Sequence, residues 1–414
     1  MINLFYDCYC VLSNVYSDSA YLKQSLKEVK INEMNRAKIV KICYGVLDND
    51  IFLDYMLSFC YDRQPKQKIR ILLKIGAYTI TFLEKKPFAV IDNIVELTKK
   101  LGKCANAGFV NAVLRKYINK TFVMPLDKLE FLSVKYSVPQ FAVKKILDEY
   151  GEEAENILSF NNEYTYLRFD NNEFGEKYLA SKKLKYSATP FTGLYLVDNA
   201  KIDEEFYNGD YTFQSIGSVA ICSILSGGKS LLDACAAPGG KSVLLANKYE
   251  HVIACELHEH RAKLIESYAK RMKIKNIDIE IMDSTIFHPA FYNFFDSVLC
   301  DVPCSGYGTI KQNPDIKLKK NDDTLKELTN IQLKILLNVS SYVKLGGEIV
   351  YSTCSIFNDE NDNIIKQFLK KTMNFEIVEI DCPLKGIKKN FGLQFLPELS
   401  LGAGFYVCKM KRVK

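Results

Sequence analysis

The run Leu231-Leu232-Asp233-Ala234-Cys235-Ala236-Ala237-Pro238-Gly239-Gly240-Lys241-Ser242 passes from an apolar strand through a turn of small residues into a helix. Ligands of open α/β sheets lie at the carboxyl ends of the strands, where small side chains let backbone approach the ligand closely. The next apolar run, Ile253-Ala254-Cys255-Glu256, ends in an acid 23 residues after Asp233, where a partner for ribose hydroxyls is expected. Glu256 is therefore read as holding the sugar of a nucleoside. A third run ends in Ile281-Met282-Asp283, whose acid can accept from an adenine amino group, although strand-ending aspartates are also common turn residues.

A phosphate-binding loop competes for the first run, because Gly240-Lys241-Ser242 supplies its tail. That motif needs glycine five positions before Gly240, and Cys235 stands there, which disfavours a nucleotide triphosphatase. Gly239-Gly240 also lacks the Gly-x-Gly-x-x-Gly spacing of a dinucleotide loop. An ordinary strand-to-helix turn is the remaining alternative.

Outward from this run, strands and helices alternate from about residue 206 to the end. We read strands at 230–234, 252–256, 277–282, 295–301, 348–352, 375–380 and 405–410. Such alternation argues for a parallel sheet with helices on both faces. Seven strands, the last pair closing as an edge hairpin, match a Rossmann-like methyltransferase sheet. Residues 121–205 read as a small mixed α/β unit: Pro139 opens a helix that Gly151 stops, and strands fall near 166–169 and 193–197. Residues 1–120 show helical spacing, as in Ile69, Leu72, Leu73, Gly76 and Ile80, with Pro87 and Asn49-Asp50 as punctuation. An all-helical domain follows, ending in a helix with Gly108-Phe109-Val110-Asn111-Ala112-Val113-Leu114-Arg115.

Two cysteines stand at corresponding places. The fourth strand of the alternating region delivers Asp301-Val302-Pro303-Cys304-Ser305-Gly306, and the fifth delivers Tyr351-Ser352-Thr353-Cys354-Ser355. In the usual 3-2-1-4-5 order these strands are neighbours, roughly 4.8 Å apart, and both thiols emerge at the cofactor rim. The other cysteines, of 13 in all, are scattered without a disulfide framework and read as small buried hydrophobes. With four histidines and no paired Cys-x-x-Cys, no metal site is expected.

The net charge of +6 is unevenly placed. Residues 1–120 carry 19 basic against 11 acidic side chains, so the basic excess lies wholly in this third. That suits a nucleic-acid contact, and a solvated lysine-rich helical surface would give the same count. No stretch approaches the length of a membrane span, and the N-terminus lacks the pattern of a secretion signal. A cytoplasmic, membrane-free monomer is expected.

The run 234–242, the Asp301-x-Pro-Cys-Ser-Gly motif, and Tyr351-Ser-Thr-Cys-Ser followed by Glu360-Asn361 resemble the NOL1/NOP2/Sun group of RNA cytosine-5 methyltransferases. The helical front resembles the NusB-type RNA-binding domain, and the resemblance covers almost the whole chain. It implies an α/β fold: an all-helical NusB-like domain (1–120), a small α/β RNA-binding domain (121–205) and a Rossmann-like, seven-stranded methyltransferase domain (206–414). It further implies S-adenosyl-L-methionine as cofactor, held by Cys235, Ala236, Ala237, Pro238, Gly239, Gly240, Lys241, Glu256, Asp283 and Asp301. RNA, ribosomal RNA of the small subunit first, is the implied partner.

The implied reaction uses both thiols. Carbon 5 of cytosine becomes nucleophilic once a thiolate adds to carbon 6, which splits one hard step into easier ones. A free cysteine has a pKa of about 8.5, so the nucleophile must be activated. By the resemblance Cys354 attacks, Cys304 assists product release, and Asp301 is the donor or hydrogen-bond partner beside the base. The chemistry alone leaves the two cysteine roles open, because DNA cytosine methyltransferases attack with the Pro-Cys residue. Methylation of transfer RNA, a non-catalytic RNA-binding assembly factor, and methylation of a protein or small molecule are the competing readings. The chain departs from the family pattern at Ala403-Gly404-Phe405-Tyr406, Arg168-Phe169-Asp170 and Gln214-Ser215.

Overall fold

The computed structural model describes residues 1–17, 20–161, 164–402 and 404–414. Two compact units emerge. One comprises residues 1–159 together with 310–321, and the other residues 160–309 together with 322–414.

The first unit is helical. Its long elements are Ile2–Ser17, Arg36–Asp48, Gln67–Thr81, Pro87–Lys100 and Cys104–Ile118. Their apolar faces meet in one buried cluster that includes Leu12, Ile39, Leu72, Ile94 and Leu114. Gly76 lets two helices close up, since a Cβ there would lie 3.0 Å from a Leu114 methyl. An ionic group is buried in this core: Lys74, fully buried, pairs with Asp50 and lies 2.8 Å from Asp54, while the Tyr16 hydroxyl donates to Asp50. Pro139 precedes the helix Gln140–Tyr150, and Gly151 at φ +55° ends it.

The segment 121–205 is divided between the units. Helices Lys128–Tyr136, Gln140–Tyr150 and Ala154–Ser159 lie in the first, whereas the strands beyond residue 165 lie in the second. Residues 310–321, far along the chain, also join the first unit. Asp315 accepts from the Leu22 amide at 3.0 Å, and the buried Lys317 ammonium donates to the Asp48 carbonyl at 2.7 Å. The chain thus leaves the loop after Cys304, enters the helical unit, and returns at Asp322.

The second unit contains two sheets. The smaller is antiparallel, with strands β1 (Tyr166–Arg168), β2 (Tyr186–Ala188), β3 (Leu194–Val197) and β4 (Thr212–Phe213) in the order β2-β3-β1-β4. The larger has nine strands: β5 (Gly228–Asp233), β6 (Tyr249–Glu256), β7 (Ile277–Ile281), β8 (Phe295–Asp301), β9 (Val343–Thr353), β10 (Phe375–Val378), β11 (Ile387–Lys388), β12 (Leu393–Phe395) and β13 (Phe405–Arg412). Strands β7, β6, β5, β8 and β9 run parallel in that order, and β13 lies antiparallel against β9. The central strands are buried on both faces, as in Leu231, Leu232, Val298 and Leu299, which is why they read as continuous apolar runs.

The seven expected strands are present, and two short ones, β11 and β12, are added. They change the expected edge. β10 does pair with β13, through Phe375↔Arg412 to Val378↔Lys409, but the pair is not a hairpin. The intervening chain forms β11 and β12, and β12 takes the first half of the same edge through Leu393↔Val407 and Phe395↔Phe405. Strands of two or three residues are too short to show a period.

Candidate active site

Strand β5 ends at Asp233, and the next residues keep sheet-like bonds to both neighbours: Ala234 donates to Leu299 and Ala236 to Cys255. Gly239 then turns the chain at φ +101°, and a Cβ there would stand 3.1 Å from the Ile265 Cα. Only glycine fits this bend without displacing the helix Glu259–Arg271. The result is a backbone cradle beside a cavity of about 200 Å³, lined by Cys235, Ala236, Ala237, Pro238, Gly240, Lys241, Asp301 and, beyond the expected set, Gln214, Asp233 and Tyr268.

Charge in this cavity is organised by one ion pair. The Lys241 ammonium lies 2.6 Å from Asp301, whose other oxygen accepts from Ser352 at 2.6 Å. Burial opposes the charge on Lys241, but Asp301 outweighs it and holds the ammonium above its ordinary range. In this arrangement Asp301 is an acceptor at both oxygens. Asp233, buried beneath the loop, is pushed up to about 6 by burial, against the bond it accepts from Ser242 at 2.6 Å.

Glu256 and Asp283 do not line this cavity. Glu256 is buried at the end of β6, accepts from the His258 amide at 3.1 Å and faces Arg261 at 3.4 Å. Arg261 also reaches the Ala237 carbonyl at 3.3 Å, so it ties the acid to the loop. Asp283 accepts from both the amide and the hydroxyl of Thr285, the geometry of a turn residue.

The two cysteines meet. Register Asp301↔Ser352 sets β8 and β9 side by side, and beyond it the Cys304 and Cys354 Sγ atoms lie 3.0 Å apart, with the Cys354 amide donating to the Cys304 sulfur at 3.3 Å. The bond with Cys354 and burial push the Cys304 thiol well up, with the charges of Cys354, Glu360 and Asp301 acting in the same direction. Burial is the main cause that raises the thiols of Cys235, Cys255 and Cys300, which pack as small core residues.

Several supporting residues escaped the sequence reading. Gln214 accepts from buried Arg168 at 2.7 Å and donates to the Gly240 carbonyl at 3.0 Å, connecting the small sheet to the cradle. Two residues at departures from the family pattern have local partners: Ser215 caps the helix Ile216–Ile224 by accepting from Ser218, and Asp170 lies 3.3 Å from Arg168. Ala403 lies outside the described residues. The only available signal for Arg261 was its place one turn into the helix after Glu256.

A parallel sheet with a glycine-bent loop at its first strand, an acid ending the second, and two thiols on the fourth and fifth define a Rossmann-like methyltransferase. A family model for the 16S rRNA methyltransferases RsmB/F matches residues 224–411, and one for the NusB family matches residues 5–119. The probable ribosomal RNA small subunit methyltransferase B of Bacillus subtilis is 33% identical, covering 94% of each chain. The ribosomal RNA small subunit methyltransferase B of Escherichia coli K12 is 26% identical over 92% of this chain and 91% of its own. In fold, the crystal structure of PH0851 superposes with a TM-score of 0.85 at 20% identity, covering 100% of this chain and 99% of that one. The chain belongs to the RsmB/F family of 16S rRNA methyltransferases, with a NusB-family front. It is an RNA methyltransferase, and S-adenosyl-L-methionine is its methyl donor.

Among the described residues no helix is long and apolar enough to cross a membrane, and no group of three His, Cys, Asp or Glu side chains is placed to hold a metal ion.

Proposed function

We propose that this protein methylates carbon 5 of a cytosine in small-subunit ribosomal RNA through a covalent adduct between Cys354 and carbon 6. The observation that carries this reading is the 3.0 Å approach of two thiols three residues from the Asp301–Lys241 pair. A single buried cysteine has a packing explanation; two in contact just beyond strand β8, whose last residue Asp301 lines the cavity, have a chemical one.

The residues present fit S-adenosyl-L-methionine. The cradle at Gly239 and Gly240 admits close backbone approach, Glu256 is an acceptor suited to a ribose diol, and the carboxylates of Asp233 and Asp301 surround a cavity that takes a cationic ligand. Asp283 supplies an acceptor for the adenine amino group. When bound, the cofactor supplies an electrophilic methyl group.

The remaining steps belong to the chain. Cys354 gives up its proton to solvent and its thiolate adds to carbon 6, which moves electron density onto carbon 5 and toward nitrogen 3. Asp301 orients the base edge by hydrogen bonding. After methylation the carbon 5 proton passes to solvent, its bonding electrons form the carbon 5–carbon 6 double bond, and the Cys354–carbon 6 bond breaks, returning the electron pair to sulfur; Cys304, in contact with Cys354, assists this release. The target base enters unstacked, because carbon 6 is shielded within a helix.

On this reading residues 1–120 and the segment 121–205 bind RNA and 206–414 carry the chemistry, in a cytoplasmic monomer. Mapping 5-methylcytosine in ribosomal and transfer RNA with and without the gene tests the proposal. Loss of a 16S position, restored by purified protein with cofactor, supports it; loss confined to transfer RNA, or no loss, overturns it.

A further inference from the structure

Two adjacent residues each hold one of the cysteine loops. Glu360 is fully buried, and its carboxylate accepts from the Ser305 amide at 2.7 Å, the Ser305 hydroxyl at 2.5 Å and the Gln332 amide group at 3.0 Å. Asn361, also buried, accepts from the Thr353 hydroxyl at 2.6 Å and donates to the Ser355 carbonyl at 3.1 Å and to Gln394 at 2.7 Å. One side chain therefore grips the residue after Cys304, and the next grips both residues flanking Cys354. Gln394 completes the frame by donating to the Ser355 and Phe405 carbonyls. Gly308 joins the loops directly, donating to the Cys354 carbonyl at 2.9 Å.

We propose that the Glu360-Asn361 pair is a positioning device that sets the contact between the two thiols, and that the buried Glu360 carboxylate, bonded to the residue after Cys304, opposes negative charge on the Cys304 sulfur. The proposal rests on the adduct chemistry above, and it assigns a cause to the division of roles that the two cysteines' similar surroundings leave unexplained.

The physical argument is one of distance and medium. A buried carboxylate interacts strongly with charge on a nearby sulfur, because little water screens it. Glu360 is bonded to the residue next to Cys304, so a thiolate at Cys304 would be formed beside a fixed negative charge. The titratable groups facing Cys304 include Cys354, Glu360, Asp301 and Tyr351, of which the first three favour its neutral form. Replacing a buried bonded carboxylate by a packing-neutral residue would be simpler if only shape were needed.

Glu360→Gln keeps the shape and removes the charge. Alkylation of Cys304 by iodoacetamide, followed by peptide mass spectrometry across pH in the full-length protein, is expected to begin at lower pH in this variant. At a fixed pH below the onset, the rate should rise roughly tenfold for each pH unit by which the profile moves down. Superimposable Cys304 profiles in folded wild-type and variant protein overturn the charge role. Asn361→Ala tests the geometry and stands if the first variant fails to fold. Bridging of Cys304 to Cys354 by diamide, which takes up two electrons and two protons from the thiols, is expected to slow several-fold, while kcat falls with the KM for RNA unchanged. A bridging rate within about twofold of wild type overturns the positioning role. Neither the alkylation nor the bridging readout needs RNA turnover, so failure here is separate from failure of the methylation reading.

Discussion

The Cys304 and Cys354 sulfurs lie 3.0 Å apart, just beyond the ends of parallel strands β8 and β9. This contact makes the two substitutions separable. If Cys354 attacks carbon 6, Cys354→Ala abolishes both methyl transfer and any covalent RNA complex. Cys304→Ala still allows attack and methylation but impairs release, so protein crosslinked to RNA accumulates on denaturing gels. The reverse pattern would mean that Cys304 is the nucleophile.

Glu256 is buried at the carboxyl end of β6, and Arg261 links it to the cofactor loop. Glu256→Ala is expected to weaken cofactor binding by roughly 1.5–3 kcal/mol, the loss of a charge-assisted hydrogen bond. Calorimetry on the purified protein reads this directly, and unchanged affinity would remove Glu256 from the site.

Asp233 is buried and its carboxyl is raised to about 6. Between its unfolded value near 4 and this folded value, the native state holds the extra proton. Stability from this group is therefore full below about pH 4 and is lost as pH rises through about 6. Asp233→Asn is expected to raise the melting temperature at pH 7.5, by a stabilisation on the order of 2–3 kcal/mol before any cost to the Ser242 bond, and to have little effect at pH 4.5. Thermal melts across pH test the sign.

Lys74 is sealed in the helical core with Asp50 and Asp54. Lys74→Met leaves the buried Asp50 without its cation, while Asp54 keeps Arg70, and is expected to cost about 3–5 kcal/mol, whereas Lys177→Met, which removes the surface pair with Glu173, is expected to cost under about 1 kcal/mol. Denaturant titration of Lys74→Met and Lys177→Met should differ accordingly.

The basic excess of residues 1–120 is tested in the full chain, because the helical unit also holds residues 310–321 and its deletion would free the segment that follows Cys304. Replacing the exposed Lys85, Lys86, Arg115 and Lys116 by glutamine should flatten the salt dependence of RNA binding by roughly 0.7–0.9 per lost phosphate contact, with cofactor affinity unchanged. An unaltered slope would assign the basic surface another partner.

Local pattern was enough for much of this. The apolar runs ending at Asp233, Glu256 and Asp301, the helical spacing around Ile69 to Ile80, and the stop at Gly151 are properties of neighbouring residues, and each folds as its own pattern dictates. That Cys304 and Cys354 both stand just past strand ends was likewise legible, given the strand order. Tertiary structure alone decided what is bonded to what across long separations. The Lys241–Asp301 pair spans 60 positions, the Ser305–Glu360 bonds 55 and the Arg168–Gln214 bond 46, and no periodicity encodes them. The assignment of residues 310–321 to the helical unit is of the same kind, since Lys317 finds Asp48 only after both parts have folded. A sequence records which side chains are available; burial decides which polar groups must find each other, because those left unpaired in the core cost more than the bonds they form.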